Sequence, residues 1–124
     1  MGEHKHKLLV VDDEVEICDF VRMFFEQRGF LVVAAHDGEE GLKTAAKEKP
    51  SIILLDVKMK SEHDGFDALP KLRKLLPDAA IIMVTGVEDE ESREKGRALG
   101  AEDYITKPLI LEKLEETVYR KVGR

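Results

Sequence analysis

The stretch "KLLVVDDEVEI", residues 7–17, decides the fold. Leu8–Val11 is an unbroken apolar run that leads directly into two adjacent carboxylates, Asp12 and Asp13. Short continuous apolar runs mark strands buried on both faces of a parallel sheet. Such a strand cannot carry two like charges into its interior, so the acidic pair marks the strand's end. Apolar residues at helical spacing follow, and the unit reads as a strand feeding a helix.

The same unit recurs along the chain. Further strands are read at Leu31–Ala35, Ile52–Leu55, Ala80–Val84 and, more weakly, Asp103–Thr106. Between them the spacing predicts helices over Val15–Arg28, Glu39–Lys49, Phe66–Leu76 and Asp89–Leu99, with a fifth over Leu111–Val122. In the first helix, Ile17, Phe20, Val21, Phe24 and Phe25 read as one apolar face. Pro70 inside the third predicts a late start or a kink. Five strand–helix units imply an α/β fold with helices on both faces of the sheet. Right-handed crossovers leave few topologies, and a flavodoxin-like, doubly wound, five-stranded parallel sheet of order 2-1-3-4-5 with five helices is expected.

The composition sets bounds on function. The chain has 124 residues, enough for a single core, and a hydrophobic fraction of 43% that supports folding. Residues 1–6 read as a mobile terminus or vector-derived residues, and 7–124 as one domain. A net charge of −6 without a basic block argues against direct nucleic-acid binding. No apolar run approaches the roughly 20 residues that span a bilayer. "MGEHKHK" lacks the apolar segment of a signal peptide. The single cysteine, Cys18, reads as a small core residue in a reducing, cytoplasmic setting. His4, His6, His36 and His63 show no ligand spacing that marks a zinc site.

In an open α/β sheet the ligand site lies at the carboxyl ends of the strands, where strand order reverses. The first strand here leads to Asp12 and Asp13, the third to Asp56, the fourth to Thr85 and the fifth to Lys107 and Pro108. Singly, each has an ordinary explanation as a helix cap, turn residue or solvated charge. Together they gather three carboxylates, a hydroxyl and an ammonium at one edge. Crowded carboxylates stay ionised at acceptable cost only around a cation. An all-oxygen donor set favours a hard cation, Mg²⁺ before others. With Lys107 and Thr85 nearby, the group suits phosphoryl transfer, and a carboxylate nucleophile would become an aspartyl-phosphate.

With these motifs in order, "LLVVDDE", "IILLDVKM", "DGF", "IIMVTG" and "GAEDYITKP", the chain resembles the receiver domain of two-component response regulators from about Lys7 to Val122. The resemblance implies that Asp56 is the phosphoacceptor and that Asp12, Asp13 and Asp56 bind Mg²⁺ together with the backbone carbonyl of Lys58. It also implies that Thr85 is a switch hydroxyl, that small Gly86 keeps the phosphate pocket open, and that Lys107 pairs with the phosphoryl group. A cis peptide is implied at Lys107–Pro108, and Tyr104 matches a switch aromatic that turns inward. Lys58 and Val87 occupy positions that tune autodephosphorylation. Neither can orient attacking water, so a long-lived phosphoryl group is expected. Partners implied are a sensor histidine kinase or histidine phosphotransfer protein, and an output partner or effector domain. Phosphorylation-dependent homodimerisation is left open, as is whether the chain stands alone or belongs to a larger protein.

The segment "DVKMKSEHDGF", residues 56–66, departs from the family pattern. Lys60 stands where a proline is usual, and the interval from Asp56 to Gly65 is one residue longer. Two other functions compete with a phosphorylatable switch. A Mg²⁺-dependent phosphohydrolase of the haloacid dehalogenase type needs an acid/base Asp two residues after its nucleophile, where this chain has Lys58. A phosphorylation-independent interaction module is opposed by the complete set of site residues. A flavin carrier of the same topology is disfavoured, because "DDEVE" would repel phosphate. No turnover substrate is expected. The fourth helix, "EDEESREKGRALG", has few apolar anchors, and Gly96 predicts a shallow, weakly held element.

Overall fold

A computed structural model describes residues 6–57, 59, 64–86 and 90–123. Five strands, β1 (Lys7–Val11), β2 (Leu31–Ala35), β3 (Ile52–Asp56), β4 (Ala80–Thr85) and β5 (Asp103–Thr106), form one parallel sheet. Its order is β2-β1-β3-β4-β5, as the sequence predicts. The helices α1 (Val15–Glu26), α2 (Gly38–Glu48), α3 (Asp64–Leu75), α4 (Glu90–Leu99) and α5 (Leu111–Val122) alternate with the strands. Residues 1–5, within the expected mobile terminus, lie outside the described residues.

Strand alternation sorts the unbroken apolar runs into two cores. Leu8, Val10, Ile52, Leu54, Ile82 and Val84 face Cys18, Val21 and Phe25 of α1 and Leu114 and Val118 of α5. Leu9, Val11, Ile53, Leu55, Ile81 and Met83 face the other way, toward Ala45 of α2 and Phe66, Leu69 and Leu72 of α3. Each fully buried Leu or Ile contributes roughly 1.5–3 kcal/mol. A charge within β1 or β3 would therefore disrupt one core or the other, so polar residues are confined to the strand ends.

Four details differ from the sequence reading. Phe20 does not share the buried face of α1; it is 53% exposed, whereas Val21 and Phe25 are fully buried. At 3.6 residues per turn it lies about 140° around the helix from Phe25. Helix α3 starts at Asp64, not late, and Pro70 sits in its interior. There the proline withholds the N–H that would bond the Phe66 carbonyl. The α2 start is a reciprocal cap: Asp37 accepts from Glu40 N–H at 2.7 Å, and the Glu40 carboxylate accepts from His36 N–H at 2.7 Å.

The fourth difference concerns α4. Gly96 is buried, and a Cβ there would overlap the Met83 sulfur, so the glycine is what lets α4 lie close on β4. Arg73 ties the neighbouring connections together. Its guanidinium donates to the carbonyls of Gly100 at 2.9 Å, Ala79 at 2.7 Å and Pro77 at 2.9 Å, and pairs with Glu102 at 3.2 Å. One side chain thus joins the end of α3, the approach to β4 and the turn into β5.

Arg73→Ala is expected to destabilise the fold by about 1–3 kcal/mol in chemical denaturation, because several carbonyls lose a charged donor. Arg73→Lys should recover only a minor part, since an ammonium cannot reproduce the planar fork. Cys18 is 2% exposed, and its thiol is pushed up to about 11 by burial, with the charges of Asp12 and Asp19 adding to this. Iodoacetamide at pH 8 should leave Cys18 unmodified in the folded protein and alkylate it rapidly in denaturant, as read by intact mass.

Candidate functional site

The carboxyl edge of the sheet brings Asp12, Asp13, Asp56 and Lys107 together. Asp12 follows β1 and is 2% exposed, with its backbone N–H bonded to Ala35 O at 3.0 Å. Its Oδ1 accepts from Glu14 N–H at 2.9 Å. Asp56 ends β3 and is 3% exposed, its strand continuing the pairing with β4 through Val57 N–H to Val84 O at 3.1 Å. Asp13 is the exposed member. One carboxylate oxygen from each of the three lies within 4.8 Å of the others.

Lys107 is delivered by β5. Its N–H bonds to Thr85 O at 2.8 Å, extending the β4–β5 pairing beyond Thr106. The Lys107–Pro108 peptide is cis. Its Nζ reaches Asp56 Oδ2 at 3.0 Å and Asp12 Oδ2 at 3.3 Å. Burial pulls the Lys107 ammonium toward neutrality, but the hydrogen bond and charge of Asp56, followed by the charge of Asp12, outweigh it. The group therefore titrates above the ordinary lysine range.

Asp12 shows the opposite balance. Burial raises its carboxyl, and the Glu14 N–H and Lys107 offset this only in part. The folded state thus binds the Asp12 proton more tightly than the unfolded chain. Ionising it costs stability as pH climbs from the ordinary value of 3.8 through the raised one. With all groups ionised, three carboxylates against one ammonium leave an excess of two negative charges. An oxygen-only donor set, two-thirds buried and short of positive charge, fits a hard divalent cation such as Mg²⁺.

Strand register places the other site residues. Asp56 shares the parity of Ile52 and Leu54 and so faces the α1–α5 side, whereas Thr85 shares that of Ile81 and Met83 and faces α3 and α4. Thr85 is 2% exposed, opposite Thr106. Tyr104 stands two residues back along β5, paired with Met83, and packs against the second core. The Arg93 guanidinium lies over its ring, 4.2 Å from the centroid. Among the described residues nothing lies within 4 Å of a Cβ built on Gly86. Gly65 is different: a Cβ there would strike the Asp56 carbonyl and the Val57 backbone, so the start of α3 rests directly on the end of β3. Lys58, Lys60 and Val87 lie outside the described residues.

One site residue escaped the sequence reading. Glu14 Oε2 lies 3.3 Å from Lys107 Nζ and forms a third acidic partner for the lysine. The signal was present in "DDE", but a charge in the first turn of a helix has an ordinary dipole explanation.

Comparisons with known proteins agree with this fold. A family model described as the response regulator receiver domain matches residues 8–119. The alkaline phosphatase synthesis transcriptional regulatory protein PhoP of Bacillus subtilis is 43% identical over 102 residues, covering 82% of this chain and 42% of that protein. The chain spans about half the length of the curated relatives it matches. Among solved structures, a CheY-like receiver domain protein from Methanospirillum hungatei is 32% identical with a TM-score of 0.88, covering 94% of this chain and 93% of its own. A response regulator protein from Burkholderia pseudomallei, solved with a phosphorylated aspartic acid, a calcium ion and citrate, is 30% identical with a TM-score of 0.84; the match covers 90% of this chain and 65% of that one. No helix among the described residues is long and apolar enough to cross a membrane. With its sheet order, its acidic edge and a match over nearly its full length, the chain belongs to the response regulator receiver domain family.

Proposed function

We propose that the chain is a phosphorylatable switch in which Asp56 accepts a phosphoryl group from a phosphohistidine donor in a Mg²⁺-dependent reaction. The observation that carries this reading is the Lys107 ammonium 3.0 Å from Asp56 Oδ2, inside a cluster of three carboxylates. The phosphorylated aspartic acid of the Burkholderia pseudomallei relative supports it.

In the proposed transfer an Asp56 oxygen attacks phosphorus as the P–N bond to the donor imidazole breaks. The bonding pair returns to the ring nitrogen, and the new P–O bond leaves an acyl phosphate on Asp56. A carboxylate nucleophile carries no proton to be removed, so the protein's task is positioning and charge neutralisation. Asp12, Asp13 and Asp56, with the Lys58 carbonyl, would hold the cation. When bound, Mg²⁺ neutralises oxyanion charge in the cluster. Lys107 takes phosphoryl oxygens from the α1–α5 side and the Thr85 hydroxyl from the other. Movement of Thr85 frees space into which Tyr104 turns, and the face around α4, β5 and α5 then changes for an output partner. The donor is a sensor histidine kinase or a phosphotransfer protein, in a cytoplasmic setting where Cys18 stays reduced. The domain promotes its own modification and has no turnover substrate.

Incubation with acetyl phosphate and Mg²⁺ should give a single phosphoryl adduct by intact mass, absent from Asp56→Asn and from metal-free samples. Lys107→Ala should slow its formation at least tenfold. Absence of any adduct, with a competent kinase also failing, would replace this reading with a phosphorylation-independent interaction module. The residues at positions 58 and 87 further imply slow loss of the phosphoryl group. Wild type should retain it several times longer than a Lys58→Asn, Val87→Glu double variant, followed by mass after removal of donor; equal lifetimes would refute that.

A further inference from the structure

A lysine ammonium has three N–H donors. In this chain Lys107 has three carboxylate oxygens within reach: Asp56 Oδ2 at 3.0 Å, Asp12 Oδ2 at 3.3 Å and Glu14 Oε2 at 3.3 Å. A phosphoryl oxygen on Asp56 that engages the ammonium competes with these carboxylates for it. Asp12 and Asp56 are buried and belong to the acidic cluster, whereas the Glu14 side chain is 57% exposed. Its backbone is nonetheless fixed. The Glu14 N–H is bonded to Asp12 Oδ1 at 2.9 Å, and its carbonyl accepts from Ile17 and Cys18 N–H at 3.1 and 3.2 Å. The first turn of α1 therefore holds the Glu14 carboxylate at the outer side of the lysine.

We propose that Glu14 is a positioning residue that restrains Lys107 in the unphosphorylated state and, through its charge, slows phosphoryl transfer to Asp56. The inference rests on the phosphoacceptor reading above. Two effects act in the same direction. Glu14 competes with the incoming phosphoryl oxygens for the ammonium, and it adds a negative charge beside the path of an anionic donor. The reaction with acetyl phosphate is charge-balanced: the Asp56 carboxylate and the donor dianion give the acyl phosphate dianion and acetate, which leaves with the electron pair of the broken P–O bond. The local charge rises from one negative to two in the product, and Glu14 opposes that rise. Because the Glu14 carboxylate is exposed and screened by solvent, the expected effect is modest, roughly two- to fivefold in rate.

The test measures the rate of adduct formation by intact mass with acetyl phosphate, at Mg²⁺ raised until the rate saturates. Wild type is compared with Glu14→Gln and Glu14→Lys, their folding checked by circular dichroism. Glu14→Gln should react two- to fivefold faster, and Glu14→Lys faster still. Added salt should accelerate wild type more than either variant. The less charged donor phosphoramidate should show a smaller difference between wild type and Glu14→Gln. A role for Glu14 only in starting α1 would alter none of these charge dependences. An adduct on wild type with equal rates and equal salt dependence in the variants would overturn the role of Glu14 alone. No adduct on wild type would overturn the phosphoacceptor reading and this inference with it.

Discussion

The structure depends on a charge imbalance at the carboxyl edge of its sheet. Parallel pairing of β1 with β3 makes Asp12 and Asp56 neighbours, and burial denies both the water that would otherwise solvate them. Lys107 is the internal answer, carried to the edge by β5, whose pairing with β4 extends through the Lys107 N–H to Thr85 O. The imbalance survives this pairing. A site still short of positive charge is one that a hard cation fits.

The fold was legible because burial on both sides of a parallel sheet removes the ambiguity of alternation. Runs such as Ile52–Leu55 could be placed without knowing which face each residue took, and the structure then divided them by parity between two cores. The residues ending those runs stood out for the same reason: Asp56 and Thr85 interrupt apolar sequence at positions where a charge or hydroxyl has no packing role. Edges of helices were harder to read. Phe20 looks like core in sequence because apolar character alone does not reveal the angle at which a helix meets the sheet. Pro70 suggested a boundary, yet tertiary packing of Phe66 and Leu69 on one side and Leu72 on the other carries α3 through it.

The contacts missed by sequence were those that depend on two distant residues. Arg73 reads as one more surface cation until the Gly100, Ala79 and Pro77 carbonyls are seen to converge on it. Glu14 and Lys107 are 93 residues apart in sequence, and no local pattern joins them. Gly65 was noticed as part of "DGF", but its requirement, the approach of α3 to the Asp56 carbonyl, is a matter of backbone proximity. Spacing reveals which residues share an element. It does not reveal which elements touch without side chains between them.

Gly96 is the other case of such contact. Helix α4 is secured partly by a missing side chain, with Met83 filling the room that a Cβ would take. Six of its ten residues are charged, and Glu90, Glu91, Glu94, Lys95 and Arg97 lie at or near the surface. Substitutions at such surface positions usually shift stability by no more than about 0.5 kcal/mol. The outward face of α4 is thus released from the demands of folding. Its charge pattern can be rewritten, one residue at a time, while the glycine beneath keeps the helix in place.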